Sequence, residues 1–272
     1  MEVTLWGVRG STPTPQPENI RYGGNTACVA VRLNGRLYIF DCGTGFRNLG
    51  KQLSREYAGR PLQAHIFISH YHWDHIQGIP FFSPLYDNPE NHFFFHSSNR
   101  TCGLQEAIEG QMVLPYFPVK MNEMAARREF YSLEEGCASF EDCRILTRHL
   151  NHPQGCLGFR IESPTGCLVY ATDHEPGNPQ FDKAVRELAE GADVLISDAQ
   201  YLPEEYAAKR RGWGHSHWRE SVEIALAAGA QQLILFHHDP DRSDSCLDAL
   251  VNEAGDYHPK LRAAAEGMVI HI

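Results

Sequence analysis

The sequence has no long hydrophobic run. No stretch of about 18 or more uncharged apolar residues occurs, so a membrane-spanning helix is not expected. The opening MEVTLWGVRG lacks a basic segment leading into an apolar core, so no standard secretion signal is expected there and the expected location is the cytoplasm. Closely paired cysteines are also missing. The 8 cysteines, at 28, 42, 102, 137, 143, 156, 167 and 246, are scattered with no CxxC pair and read as reduced core thiols. No repeat, low-complexity tract or Gly/Ser linker interrupts the chain, so residues 1–272 are expected to form one domain. Basic residues are in deficit, 24 Lys and Arg against 34 Asp and Glu, for a net charge of −10. That balance opposes tight binding of long nucleic acid, which rests on cations neutralising phosphates. It leaves room for a small or short anionic substrate, because bound metal ions would add positive charge locally.

Histidine is plentiful, 15 in 272 residues, and many follow directly on apolar runs. Apolar, β-branched or aromatic runs bounded by Gly, Asp or Asn predict strands over Val3–Val8, Cys28–Leu33, Leu37–Phe40, His65–Ser69, His92–His96, Cys167–Ala171, Val194–Ser197, Gln232–Phe236 and Met268–Ile272. Helical spacing is clearest over Phe181–Ala189 and Trp218–Ala228, and weaker over Phe46–Glu56 and Leu104–Gln111. Strands come first and recur after helices, which predicts an α/β fold of two packed sheets with helices outside. The segment Ser83–Arg148 is the least readable. Within it Val113–Met121 (VLPYFPVKM) reads either as a surface loop or as a lid or pocket wall.

Behind the apolar HIFIS stands His70-Tyr71-His72-Trp73-Asp74-His75, four candidate metal ligands in six residues. One hydrogen bond satisfies a core histidine, whereas four adjacent polar groups behind a buried strand would each need a partner. Imidazole and carboxylate donors suit zinc, manganese and iron. On an extended turn, alternate residues converge on an ion while Tyr71 and Trp73 point away.

HxHxDH is the signature of the metallo-β-lactamase superfamily, and this sequence resembles it at every position. The resemblance covers nearly the whole chain and implies an αββα sandwich of two mixed β-sheets flanked by helices. It further implies two divalent ions, Zn above Mn or Fe: His70, His72 and His152 on one, Asp74, His75 and His237 on the other, with Asp173 shared. His152 precedes Gly158-Phe159-Arg160 at the spacing of the phosphodiesterase branch, with His149 as the alternative; His174 and His238 are neighbours of the other ligands. Asp41, in Phe40–Gly45, is expected to support the ligand loop, the alternative being a plain turn aspartate. A water between two such ions becomes a hydroxide near neutral pH.

The superfamily hosts many reactions, so the branch is read from other residues. Gly212-Trp213-Gly214-His215-Ser216, following Asp198, resembles the ribonuclease Z and cyclic phosphodiesterase branch. The resemblance makes His215 the general acid, oriented by Asp198, against a plain helix-entry histidine before Ser216. Asp74 is grouped with His215 and Asp198 as catalytic. The long arm for transfer RNA is missing, since only a short segment separates Asp173 from His215. The expected substrate is therefore a small anionic phosphodiester such as a cyclic nucleotide, attacked by metal-bound hydroxide. Val8-Arg9-Gly10-Ser11 and Gly23-Gly24-Asn25-Thr26 resemble segments of small phosphodiesterase-like members, so Arg9 is expected either on phosphate or in a salt bridge. Dimers are common in the branch, and a homodimer is the corresponding expectation. The competing readings are a lactone or thioester hydrolase and a di-iron redox or sensing protein.

Overall fold

The computed structural model describes residues 1–100 and 102–272. Its elements run β1 (Glu2–Gly7), β2 (Cys28–Leu33), β3 (Arg36–Phe40), α1 (Gly45–Glu56), β4 (Gln63–Phe67), α2 (Trp73–Ile76), α3 (Pro84–Asp87), β5 (His92–Ser97), α4 (Leu104–Gly110), β6 (Arg127–Ser132), β7 (Gly136–Ser139), β8 (Arg144–Leu150), β9 (Cys156–Ser163) and β10 (Gly166–Ala171). There follow α5 (Pro179–Ala189), β11 (Val194–Asp198), α6 (Pro203–Glu205), α7 (Trp218–Ala228), β12 (Leu233–Phe236), α8 (Asp244–Gly255), β13 (Leu261–Ala263) and β14 (Val269–His271).

The strands form two seven-stranded mixed sheets, in the orders β14-β1-β2-β3-β4-β5-β6 and β13-β12-β11-β10-β9-β8-β7. In the first, β14 to β3 are antiparallel and β3 to β6 parallel. In the second, β7 to β10 are antiparallel and β10 to β13 parallel.

Strand periodicity explains the layers, because alternate residues face opposite sides of a sheet. Val29, Val31, Tyr38 and Phe40 of the first sheet meet Leu168, Tyr170, Ile196, Ile234 and Phe236 of the second in the central core. Their neighbours Cys28, Ala30, Leu37 and Ile39 turn outward beneath Phe46, Leu49 and Leu53 of α1. Val169, Leu195, Leu233 and Leu235 turn outward beneath α5 and α7. With both faces covered, the inner strands read as nearly continuous apolar runs. Side-chain caps start the outer helices: Asn178 for α5, His217 for α7 and Ser243 for α8.

The expected αββα sandwich is the fold observed, with corrections. The predicted strand His65–Ser69 is β4, Gln63–Phe67, because Ile68 and Ser69 have begun the ligand turn. The predicted Cys28–Leu33 and Trp218–Ala228 are β2 and α7 at both ends, and each of the other predicted strands and helices differs by no more than two residues at an end. The segment 83–148 is largely ordered into α3, β5, α4, β6, β7 and β8. Within Val113–Met121, Phe117 packs on Phe81 and Met121 is buried, while Leu114 and Tyr116 are exposed. Among the described residues no helix is long and apolar enough to cross a membrane.

Asp41 follows β3, Ser69–His75 follow β4, Asp173 follows β10, Asp198 ends β11 and His237 follows β12. All lie at the carboxyl ends of parallel strands, where open α/β sheets place their ligand crevice.

Candidate metal centre

Three of these strand-end residues, Asp41, Asp173 and His237, hold left-handed backbone, with φ of 59°, 55° and 60°. That conformation is costly for residues other than glycine and clusters at functional sites. Each such turn redirects a side chain from a strand end into one space between the sheets.

The HxHxDH segment divides as alternation predicts. The Tyr71 hydroxyl donates to Ser98 O at 2.6 Å and Trp73 is 78% exposed, while His70 faces inward with 6% exposure. A single helical turn, α2, then brings Asp74 and His75 inward together. Backbone bonds tie it to the preceding glycine turn, with Cys42 N donating to His75 O and Gly78 N to Cys42 O. At Gly43 a Cβ would lie 2.2 Å from Asp74 O, so only glycine permits this approach.

Two trios result. One ligand atom each from His70, His72 and His152 lies within 4.8 Å of the others, and the same holds for Asp74, His75 and His237. His72 Nδ1 and His152 Nε2 are 3.1 Å apart. In the second trio His237 Nε2 is 3.2 Å from Asp74 Oδ2 and 3.3 Å from His75 Nε2. Asp173 stands between the trios with one oxygen toward each. Its Oδ2 is 3.6 Å from His70 Nε2 and 3.5 Å from His152 Nε2. Its Oδ1 is 3.4 Å from His75 Nε2 and 3.3 Å from His237 Nε2.

These spacings fit metal ions. A tetrahedral ion with bonds of about 2.0–2.1 Å to nitrogen separates its ligand atoms by roughly 3.3–3.4 Å. His70 Nε2, buried and aimed into the centre, has no hydrogen-bond partner among the described residues; a cation is the partner such a nitrogen lacks.

The other candidates lie elsewhere. His149 stays outside the first trio, its ring Nδ1 unpartnered. His174 faces Asp182 at 3.3 Å and His238 faces Ala264 O at 2.9 Å, both away from the centre. Among the described residues Arg9 has no salt bridge. It is fully buried and donates to the carbonyls of Gly23, Asp239 and Arg242, so it braces loops behind His237.

Asp41 supports the ligands from behind. Its Oδ1 accepts from Ser69 N at 2.7 Å; its Oδ2 accepts from Ser69 Oγ at 2.8 Å and Tyr170 OH at 2.7 Å, and faces His75 Nδ1 at 2.7 Å. Two residues with no sequence signal join the site: Ser11, whose N–H donates to Asp74 Oδ2 at 2.7 Å, and Gln200, whose Oε1 lies 3.1 Å from His237 Nδ1. A third is Glu175, which accepts from Gly214 N at 2.8 Å and so fixes the turn before His215.

His215 Nδ1 lies 2.8 Å from Asp198 Oδ2, with the carboxylate fully buried, and 3.8 Å from Asp173 Oδ2. Burial pulls the imidazole pKa down, but Asp198, with Asp173 and Asp74 beyond it, outweighs this and lifts it to about 9. His152 shows the opposite balance: burial, only partly offset by Asp173, lowers its pKa to about 4.

Gly10 limits the second trio. A Cβ there would lie 2.4 Å from His237 Nδ1, so Gly10→Ala is expected to displace that ring and weaken metal retention by about 10–100-fold. Metal content after dialysis against graded chelator checks this; retention equal to the unmodified chain would show that His237 does not need the space.

A family model described as a beta-lactamase superfamily domain matches residues 36–238. A ribonuclease Z of Haloarcula marismortui is 28% identical over 98% of this chain and 96% of its own length. The metallo-beta-lactamase fold protein YhfI from Bacillus subtilis superimposes with a TM-score of 0.73 at 18% identity, covering 99% of this chain and 98% of that one. A diphosphatase from the PhnP family does so with a TM-score of 0.72 at 18% identity, covering 100% and 97%. At such identities the two structures speak for the fold.

Proposed function

Since this chain belongs to the beta-lactamase superfamily domain family, we propose that it is a dinuclear-metal phosphodiesterase acting as one domain, 1–272, on small phosphodiesters, with cyclic nucleotides among them. The observation that carries the reading is Asp173 set between two ligand trios with the His215–Asp198 pair beside it.

In this reading His70, His72 and His152 hold one divalent cation and Asp74, His75 and His237 the other, Asp173 serving both. Two cations so held, zinc, manganese or iron, would supply an activated water nucleophile and neutralise charge on the phosphate. The protein's own part is orientation and proton transfer. Ser11 N–H holds Asp74 in place and Gln200 holds His237. With Nδ1 bonded to Asp198, His215 offers its proton through Nε2 to the oxygen that leaves as the P–O bond breaks.

The ribonuclease Z name of the relatives fits the same bond cleavage, since a nuclease and a small phosphodiesterase both break a phosphodiester. The net charge of −10 favours the small substrate. The test is hydrolysis of bis-p-nitrophenyl phosphate. Chelation is expected to abolish turnover and added zinc or manganese to restore it, whereas no turnover with metal bound would turn the reading toward lactone or thioester substrates.

A further inference from the structure

On the phosphodiesterase reading, the loop that carries His215 holds cations the mechanism leaves unused. Lys209, Arg210 and Arg211 are consecutive in the chain where the π-helical turn Tyr206–Arg210 ends, in a chain of net charge −10, with the Arg211 guanidinium 5.8 Å from the Tyr206 ring centroid. Two of the carboxylates flanking the loop are already engaged. Glu205 pairs with Arg242, and Glu175 accepts from Gly212 N, Gly214 N and Tyr206 OH. Among the described residues none of the three cations has a carboxylate within ion-pair distance.

Arg210 is nonetheless placed. Its guanidinium lies 4.5 Å from the Trp213 ring centroid and 5.5 Å from that of Tyr201. Tyr201 is 2% exposed, and its ring stands edge-on to His215 with centroids 5.9 Å apart. One aromatic ring therefore separates a held guanidinium from the residue assigned to the leaving oxygen. The guanidinium stands over both rings, and among the described residues no hydrogen bond or ion pair engages its N–H fork, which suits bidentate contact with phosphate.

We propose that Arg210, flanked in sequence by Lys209 and Arg211, binds a second phosphate of the substrate, one flanking the scissile phosphodiester on the leaving-oxygen side. Trp213, 55% exposed, presents a face for the base or sugar between the two phosphates. The cations thus select, from a generally acidic surface, substrates that carry more than one phosphate.

The test is calorimetric titration of the zinc-loaded protein with thymidine 3′,5′-bisphosphate and with each thymidine monophosphate, beside turnover of bis-p-nitrophenyl phosphate. The bisphosphate is expected to bind about tenfold more tightly than either monophosphate, the scale of one added charge-assisted contact. Arg210→Gln should bring that ratio close to unity, Arg210→Lys should keep part of it, and Arg32→Gln, remote from the loop, should keep it all. Equal affinities in the unmodified protein, or a ratio that survives Arg210→Gln, would overturn the proposal. Loss of bis-p-nitrophenyl phosphate turnover with the ratio intact would count against the phosphodiesterase reading and leave the phosphate anchor standing.

Discussion

Replacing His215 by glutamine is expected to slow phosphodiester turnover by about 10²–10⁴-fold, the usual worth of a positioned general acid, while the protein keeps its metals. The ring touches both trios, with centroids 5.1 Å from His152 and 4.9 Å from His237, yet its Nδ1 is committed to Asp198 at 2.8 Å. Glutamine keeps a polar group near the buried Asp198, whose Oδ1 still accepts from Gln200 N; it cannot donate a proton as an imidazolium does. The loss should be greater for a dinucleotide, whose leaving alkoxide needs that proton, than for bis-p-nitrophenyl phosphate, whose leaving phenolate is stable without it. Equal slowing on both substrates would indicate a positioning role, and unchanged turnover on both would remove His215 from the mechanism. Metal content measured on the same sample separates loss of the acid from loss of the ions.

The readable part of this site was the part compressed in sequence. His70, His72, Asp74 and His75 announce themselves within six residues because one turn after one strand carries them all. Asp173 and His237 could be placed only by resemblance, since nothing local separates them from His174 and His238. The structure separates them by backbone conformation, as Asp173 and His237 occupy left-handed turns that aim them inward. Ser11 and Gln200 were out of reach for a different reason. Ser11 meets Asp74 across 63 positions of sequence and Gln200 meets Ser11 across 189, so no local pattern could join them. Glu175 likewise acts on Gly214 across 39 positions.

The fold shows the same division. Strands buried on both faces, such as β3, β11 and β12, were legible as apolar runs. The strands that escaped are β6 to β9, at one side of the two sheets, and the three-residue β13 at the opposite edge of the second. In β6 (RREFYS) and β7 (GCAS) no residue is fully buried, so their composition follows solvent contact rather than packing. β8 (RILTRHL) and β9 (CLGFRIES) alternate but carry charged residues on one face, which diluted the signal. The helix α8 buries only Asp244, Leu247, Leu250 and Ala254, a narrow stripe in which only two large apolar residues mark the helical spacing.

Replacing Asp41 by alanine is expected to cost the largest share of stability of any single change at this centre. Its fully buried carboxylate collects Ser69 N, Ser69 Oγ and Tyr170 OH and faces His75 Nδ1, all within 2.8 Å. No water-accessible route replaces these partners, because His75 is also fully buried and Ser69 and Tyr170 nearly so. Leaving a buried charged partner or donor uncompensated costs about 3–5 kcal/mol, against a total of about 5–15 kcal/mol for an ordinary domain. The midpoint of urea unfolding should therefore fall sharply at an unchanged slope. The same bonds fix the loop from Ser69 to His75, so metal affinity should fall as well, by about 10–100-fold. If the alanine variant does not fold, Asp41→Asn carries the test. It preserves volume and one acceptor but sets an amide N–H₂ against donors, so it should remain folded while binding metal more weakly than the unmodified chain. An unchanged midpoint for Asp41→Ala, or full metal affinity in Asp41→Asn, would show that β3 and its left-handed turn hold the ligand loop without the carboxylate.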